Sequence, residues 1–196
     1  ANAVNAAPFN ATYAIRGYSD NCGGTVTVFL TNAVVTGTDC NWKVTYTFSV
    51  KGSCNNILTN QSYSNTGSNQ TAPTLTGTAY TGTTGINACK ANAVIAAPFN
   101  ATNAIQGYTD YCGEEVTAVL TNTLVTGTDC NWSVTYTFSV RDACNNTLDN
   151  QSYSNTGGDQ ATPTIIGEYA NSVTLWPPNH TMRDIYIGYI AADNCS

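Results

Sequence analysis

The chain has 196 residues, of which 42% are hydrophobic and only 9% are charged. This apolar content excludes a disordered tail, and the length is enough for one large or two ordinary domains. The net charge of −6 excludes the basic surface expected of a protein that binds nucleic acid or an anionic membrane. One histidine and one methionine leave little material for acid–base or metal chemistry. The composition therefore predicts that this is not an enzyme and that it has no catalytic residues and no cofactor.

The predicted elements are short β-strands separated by turns, which fits a chain with 32 threonines and 24 asparagines. The first predicted strand covers residues 26–30. The clearest covers residues 42–50, where aromatic and aliphatic residues alternate with polar ones, giving one buried face. Further strands are predicted around residues 58–63 and 75–80. Short strands with turns every 8–12 residues or so are typical of an immunoglobulin-like β-sandwich.

An internal repeat with a period of 90 residues organises the chain. Residues 1–70 and 91–160 are identical at 51 of 70 positions. Polar, turn-rich stretches that end in a proline place the domain boundaries near residues 71 and 161. The predicted domains are a repeat lacking its first strand (1–71), a complete repeat (72–161) and the start of a further domain (162–196). Such close copies indicate tandem duplication. Duplication increases the length of a stalk, and it increases the avidity of a multivalent binder.

Cysteine spacing indicates an oxidised, extracellular protein. The eight cysteines form no CxxC pair, which gives no support to a zinc or redox motif. They are spread through an acidic, lysine-poor chain, as is typical of disulfide-bonded exported proteins. The cysteines are Cys22, Cys40, Cys54, Cys89, Cys112, Cys130, Cys144 and Cys195.

Strand geometry predicts which cysteines pair. Cys40 and Cys54 flank a strand about 30 Å long, which is too far for a disulfide. An antiparallel arrangement of residues 26–30 beside 42–50 brings the start of the first strand to the end of the second. The pairs predicted on this basis, with Cys40 and Cys195 left over, are Cys22–Cys54, Cys112–Cys144 and Cys89–Cys130. In the alternative arrangement, Cys40 bonds Cys89 and joins two repeats.

Three sets of residues carry a family resemblance. They are the turns at 18–23 and 108–113 (YSDNCG and YTDYCG), the strand ends VTYTFSV followed by CNN, and LWPPNH at 175–180 followed by DNC at 193–195. The chain resembles the HYR domain, an immunoglobulin-like extracellular adhesion module. The amino-acid sequence of its repeat is also similar to the SprB-type repeats of Bacteroidota gliding-motility adhesins. On this resemblance, residues 162–196 begin a further HYR-like domain.

The resemblance implies a repeat segment of a large cell-surface adhesin that mediates attachment and gliding motility. The implied location is the outer-membrane surface, reached by type IX secretion. The implied partners are polysaccharide or abiotic surfaces, neighbouring repeats, and motility or secretion machinery reached through the parent protein. Two alternatives stay open: a passive spacer stalk, and an ancillary β-sandwich module of a secreted carbohydrate-active enzyme.

Several polar side chains are candidate site residues, each with a simpler structural interpretation. Asp20 and Asp110 precede cysteines at turns and are weak candidates for Ca²⁺ ligands, although sparse acidic residues favour plain Asx-turns. His180 is the one histidine and is expected to hydrogen-bond backbone. Glu114 and Glu115 are adjacent, so as strand neighbours they would face opposite sides and not form a catalytic carboxylate pair.

Aromatic and variable positions are the remaining candidates for surface binding. Four tyrosines would form sugar-stacking platforms if exposed, although core packing is favoured. They are Tyr18, Tyr63, Tyr108 and Tyr153. Positions that differ between the copies could tune binding by surface loops, and neutral drift explains them equally well. These pairs are Tyr13/Asn103, Arg16/Gln106, Asn21/Tyr111 and Phe29/Val119.

Overall fold

The computed structural model describes residues 3–170, 180, 182 and 184–195, and about half of the chain is in strands. Through the first copy the elements are α1 (Ala3–Ala6), α2 (Ala11–Ala14), β1 (Thr27–Thr38), β2 (Asn41–Lys51) and β3 (Ile57–Gly67). Next come β4 (Thr74–Leu75), β5 (Ile86–Asn87), a 3₁₀ turn (Lys90–Asn92), α3 (Ala93–Ala96), α4 (Ala101–Ala104) and β6 (Tyr108–Thr109). The remaining strands are β7 (Thr117–Thr128), β8 (Asn131–Arg141), β9 (Thr147–Gly158), β10 (Thr164–Ala170) and β11 (Ile187–Ala192).

The long strands form antiparallel sheets, so the structure is mostly β; this confirms the β part of the all-β prediction, although short helices are also present. In the first copy the order is β1-β2-β3, and in the second it is β5-β9-β8-β7, with β5 added parallel to β9. Thr27 pairs with Lys51, so the predicted antiparallel arrangement of the first two strands is correct. Strands β4 and β6 form a short pair, and β10 and β11 form another. Within the described residues, no helix is long and apolar enough to cross a membrane.

The chain forms two compact units. One comprises Ala1–Ala79, Ile105–Val119 and Ser139–Asp149, and the other comprises Tyr80–Ala104, Leu120–Phe138 and Asn150–Ser196. Both units are discontinuous in sequence, because each takes segments from more than one part of the chain. The boundaries near 71 and 161 follow from the sequence repeat and stay a prediction.

The alternating strand forms the core, as its period of two predicts. In β2, Val44, Tyr46, Phe48 and Val50 are at most 5% exposed. The second copy buries the matching residues of β8, and it also buries Trp132 at 1% exposure, whereas the counterpart Trp42 is half-buried. These apolar faces supply the area whose removal from water stabilises a β-structure.

Two tyrosine hydroxyls attach the helical segment to the sheet. Tyr46 Oη donates a 2.7 Å hydrogen bond to the carbonyl oxygen of Ala7, and the Asn10 amide donates one of 2.7 Å to Tyr63 Oη. Phe9 stacks on Tyr63 with ring centroids 5.8 Å apart. The second copy repeats these bonds through Tyr136 and Tyr153. The short helices were not predicted, because four-residue alanine-rich segments show no helical periodicity.

Strand lengths differ from the predicted ones. The first strand continues past residue 30 to Thr38, because a bulge between Leu30 and Asn32 shifts its register and lets it continue along β2. The strand predicted around 75–80 is only the two-residue β4.

A two-residue turn between β1 and β2 places Cys40 at the tip of a hairpin. Thr38 pairs with Asn41 across the turn. Gly37 has φ +92°, and a side chain there would meet the carbonyl oxygen of Asn41, so the close approach needs glycine. Cys40 therefore lies in the turn and in neither strand.

Candidate functional site

The observed disulfides differ from the predicted ones. Cys40 bonds Cys144, and Cys89 bonds Cys195, with Cα–Cα distances of 4.9 and 5.1 Å. The predicted pairs Cys22–Cys54, Cys112–Cys144 and Cys89–Cys130 are therefore wrong, as is the alternative Cys40–Cys89. Cys40 and Cys195 are not left over either. Among the described residues, the thiols left free are those of Cys22, Cys54, Cys112 and Cys130.

The prediction of the disulfide pairs failed because the ends of the strands determine only roughly where a cysteine lies. The conformation of the turn determines the direction of its side chain. The turns that hold Cys22 and Cys54 do meet, but through Asp20 and Ser53. Asp20 Oδ2 accepts from the Ser53 amide at 3.0 Å and from the Ser53 hydroxyl at 2.9 Å. Both cysteines are left exposed. Since Cys40 lies in the first copy and Cys144 in the second, the observed bond links two copies.

The turn that holds Cys144 is built around the carboxylate of Asp142, which is 5% exposed. Its Oδ1 accepts from the amides of Cys144 and Asn146, both at 2.8 Å. Its Oδ2 accepts from Asn146 Nδ2 at 2.7 Å. These donors fix the direction in which Cys144 leaves the turn, towards the hairpin tip of the first copy.

Asn69 connects this turn to a second one. Its Nδ2 lies 3.1 Å from Asp142 Oδ2 and 3.2 Å from Asp110 Oδ1. Asp110, 8% exposed, also accepts from the Cys112 amide at 2.7 Å. The arrangement joins two cysteine-bearing turns of the second copy to a residue of the first copy. We call Asn69, Asp110, Asp142 and Asn146 the turn cluster.

The Asx-turn interpretation of Asp20 and Asp110 is correct. The Cys22 amide donates to Asp20 Oδ1 at 2.9 Å, which matches the bond from Cys112 to Asp110. The hydrogen bond from the Cys22 amide, followed by those from Ser53, lowers the pKa of Asp20. Protein donors thus occupy these carboxylates, and the Ca²⁺ role stays an untested alternative.

A groove of about 520 Å³ borders the turn cluster. Its lining includes Ala3, Trp42, Ser68, Asn69 and Cys112. The indole of Trp42 lies over Gly67, where any side chain would collide with it. Burial raises the pKa of the Cys112 thiol, and the carboxylates of Asp39 and Asp110 raise it further.

A segment of the chain covers the matching surface in the second copy. There Trp132 Nε1 donates a 2.7 Å hydrogen bond to the carbonyl oxygen of Ala88, and Ile86 pairs with Gly157 in β9. The Lys90 amide donates to Asp129 Oδ1 at 2.7 Å. Residues 80–90 thereby seal the edge of the second sheet.

One acidic group beside the second disulfide has the spacing of metal ligands. Ligand atoms of Asp159, Asp193 and Cys195 lie within 4.8 Å of one another. Because the Cys195 sulfur is bonded to Cys89, it is not a thiolate ligand. Cys195 also follows an Asx-turn, its amide donating to Asp193 Oδ1 at 2.9 Å.

Three of the four tyrosines that were candidates for sugar stacking instead pack or hydrogen-bond within the protein. Tyr63 and Tyr153 lie within the aromatic clusters, with Tyr153 only 4% exposed. Tyr18 Oη donates to Gln61 at 2.8 Å and meets Phe48 edge-on. Tyr108, the fourth, is half-buried in β6.

The remaining candidates lie on the surface. Glu114 and Glu115 are exposed, in an irregular loop before β7 rather than in a strand. His180 is exposed at φ +56°, while residues 175–179 of its motif lie outside the described part of the chain. Its predicted hydrogen bond stays a prediction. At the variable positions, Tyr111 is 68% exposed, and Arg16 lies over the Tyr13 ring at 5.3 Å.

Asn69 and Asp142 are the important residues that the sequence interpretation missed. The signal for Asp142 was present, because an aspartate precedes a cysteine by two positions at Cys22, Cys112, Cys144 and Cys195. Asn69 carries no comparable signal, since its two carboxylate partners are 41 and 73 residues away. Comparison with protein-family models, curated proteins and solved structures finds no match to this chain.

Proposed function

We propose that the chain is a non-enzymatic repeat segment of a large cell-surface adhesin, built from immunoglobulin-like β-sandwich repeats. The observation that carries the proposal is the Cys40–Cys144 bond, which links one copy of the repeat covalently to the next. Such a link suits a protein that transmits force through many copies, because it resists the separation of neighbouring copies under load. The resemblance to HYR-like and SprB-type repeats adds the context of attachment and gliding motility.

The exposed faces of the long strands suit contact with polar surfaces. In β1 and β7 nearly every residue is exposed, and threonines recur along both strands. Hydroxyls such as Thr31 and Thr121 donate to backbone carbonyls across the sheet at 2.9 Å, which fixes their positions. A surface without charged residues, made of threonine hydroxyls and of exposed apolar side chains such as Val34 and Val35, would favour polysaccharide or abiotic surfaces over charged partners. The location that this implies is extracellular, where disulfides persist.

Binding of the oxidised chain to a polysaccharide panel, agar and glass tests the proposal. We expect saturable binding that is lost on reduction, because the exposed faces depend on the disulfide-linked fold. Tyr111→Asn restores the residue of the first copy at the most exposed variable aromatic and should weaken binding several-fold. Glu115→Gln is the matched surface control and should bind normally. If the folded chain binds none of these surfaces, the spacer stalk becomes the better account.

A further inference from the structure

We infer that the groove beside Trp42 binds a second copy of segment 80–90, and that Cys112 forms a disulfide with the cysteine of that segment. The partner is thus another copy of this repeat, identified by its own sequence. The inference rests on the repeat and not on adhesion, so it can fail or hold independently of the proposed function.

The first argument comes from what segment 80–90 contacts in the second copy. Tyr80 meets Tyr153 with centroids 4.9 Å apart, and the Thr83 amide donates to Asn155 Oδ1 at 2.8 Å. The carbonyl oxygen of Ala88 accepts from Trp132. Each of these three partners is at most 4% exposed.

The second argument is that the same three residues are less buried in the first copy. Trp42, Tyr63 and Asn65 occupy the matching positions, and all three are half-buried. Strand β3 is the edge of its sheet among the described strands, whereas β9 is paired with β5. The groove thus offers the partly exposed indole of Trp42, and β3, which ends at Gly67 directly before the groove residue Ser68, offers an edge; the added segment uses both features in the second copy.

The third argument concerns the cysteines. Cys89 bonds Cys195, which follows the Asx-turn of Asp193. Cys112 follows a turn of the same kind, built on Asp110. Cys112 also lines the groove near Ala3, and Ala3 matches Ala93, four residues after Cys89. A docked copy of the segment therefore delivers its cysteine to Cys112.

Pairing between cysteines of neighbouring copies also accounts for the other free thiols. Cys130 is the copy of Cys40, Cys54 is the copy of Cys144, and Cys22 is the copy of Cys112. Each free cysteine thus repeats one that either forms a disulfide here or is assigned one by this inference. Under the same pairing rule, each of these cysteines would bond the complementary cysteine of another copy of the repeat.

The bond forms by thiol–disulfide exchange with a small-molecule disulfide such as oxidised glutathione. One protein thiolate attacks the glutathione disulfide and releases one glutathione thiol. The second protein thiolate then displaces the other glutathione. Two protein thiols are oxidised to one disulfide, and the glutathione disulfide is reduced to two thiols.

The test extends the full chain at Ala1 with its own residues 80–90 (YTGTTGINACK), which reproduces the Lys90–Ala91 junction. After refolding in glutathione buffer, we expect non-reducing peptide mapping to link the added cysteine to Cys112. The number of titratable thiols should fall from four to three although one cysteine has been added. A matched control carries the same residues in scrambled order, with the cysteine and lysine kept in place, and should form this link several-fold less.

A second measurement separates docking from tethering. In the extended chain with Cys112→Ser, backbone hydrogen exchange across residues 65–68 should still slow about tenfold, because β3 gains a neighbouring strand. Unchanged exchange, a link from the added cysteine to any other thiol, or equal linkage in the scrambled chain would overturn the inference.

Discussion

Asn69 Nδ2 lies 3.1 Å from Oδ2 of Asp142, so a side chain of the first copy donates to a carboxylate in the second. That carboxylate accepts three further hydrogen bonds from its own turn. A buried carboxylate is tolerated when donors such as these replace its lost hydration. The bond therefore ties the direction of Cys144 to the position of the first copy.

Replacing this carboxylate should destabilise the chain. Asp142→Asn presents an amide nitrogen to groups that are themselves donors, and we expect a loss of about 2–3 kcal/mol in the free energy of unfolding. Urea denaturation with the disulfides intact measures it. Glu115→Gln alters an exposed carboxylate and should stay within about 0.5 kcal/mol of the parent. Equal effects of the two substitutions would contradict the role given to the turn cluster.

The duplicated tyrosine bonds give a second prediction. Tyr136→Phe removes the 2.7 Å hydrogen bond to Ala97 and should cost about 1 kcal/mol. Tyr46→Phe removes the equivalent bond to Ala7 and should cost a similar amount. Tyr111→Phe is the control, because that side chain is 68% exposed and its loss should be undetectable. Denaturant midpoints would show the pattern, and a neutral Tyr136→Phe would argue against the tethering of the helical segment.

Acid stability should depend on Asp20. The hydrogen bond from the Cys22 amide, followed by those from Ser53, lowers the pKa of this carboxyl from 3.8. A lowered folded-state pKa means that the stabilisation is present above pH 3.8 and is lost as the pH falls through the folded value. Asp20→Asn should therefore unfold at a lower temperature than the parent at neutral pH. The difference should shrink on acidification below about pH 4. Thermal melts at a series of pH values test this, and a constant difference would refute it.

Cys40 and Cys130 occupy the same position in the two copies, but only Cys40 forms a disulfide, so their replacement should affect stability differently. Cys40→Ser opens a loop of 104 residues and should cost about 2–5 kcal/mol. Cys130→Ser changes the exposed, free copy of the same residue and should cost less than about 0.5 kcal/mol. Chemical denaturation of both variants under oxidising conditions makes the comparison. Similar losses would mean that the two positions pair differently from the arrangement described.

The core could be predicted from the sequence because strand burial is a local property. Alternation in residues 42–50 identifies Val44, Tyr46 and Phe48 as buried without any knowledge of the partners. The disulfides could not be predicted in this way. The bond between Cys40 and Cys144 depends on the turn at Gly37 and on the donors around Asp142, which are about 100 residues apart. Such a relationship leaves no periodic signal in either segment.

The two disulfide loops overlap, and this affects how the chain lengthens under tension. Cys89 lies inside the loop closed by Cys40–Cys144, and Cys144 lies inside the loop closed by Cys89–Cys195. The loops contain nearly equal lengths, with separations of 104 and 106 residues. If one bond breaks, the other still withholds a similar length from a chain pulled by its ends. Only when both bonds are broken is that slack released, about 360 Å of extended backbone. The interleaving therefore makes the maximum extension of the segment tolerant of the loss of either bond alone.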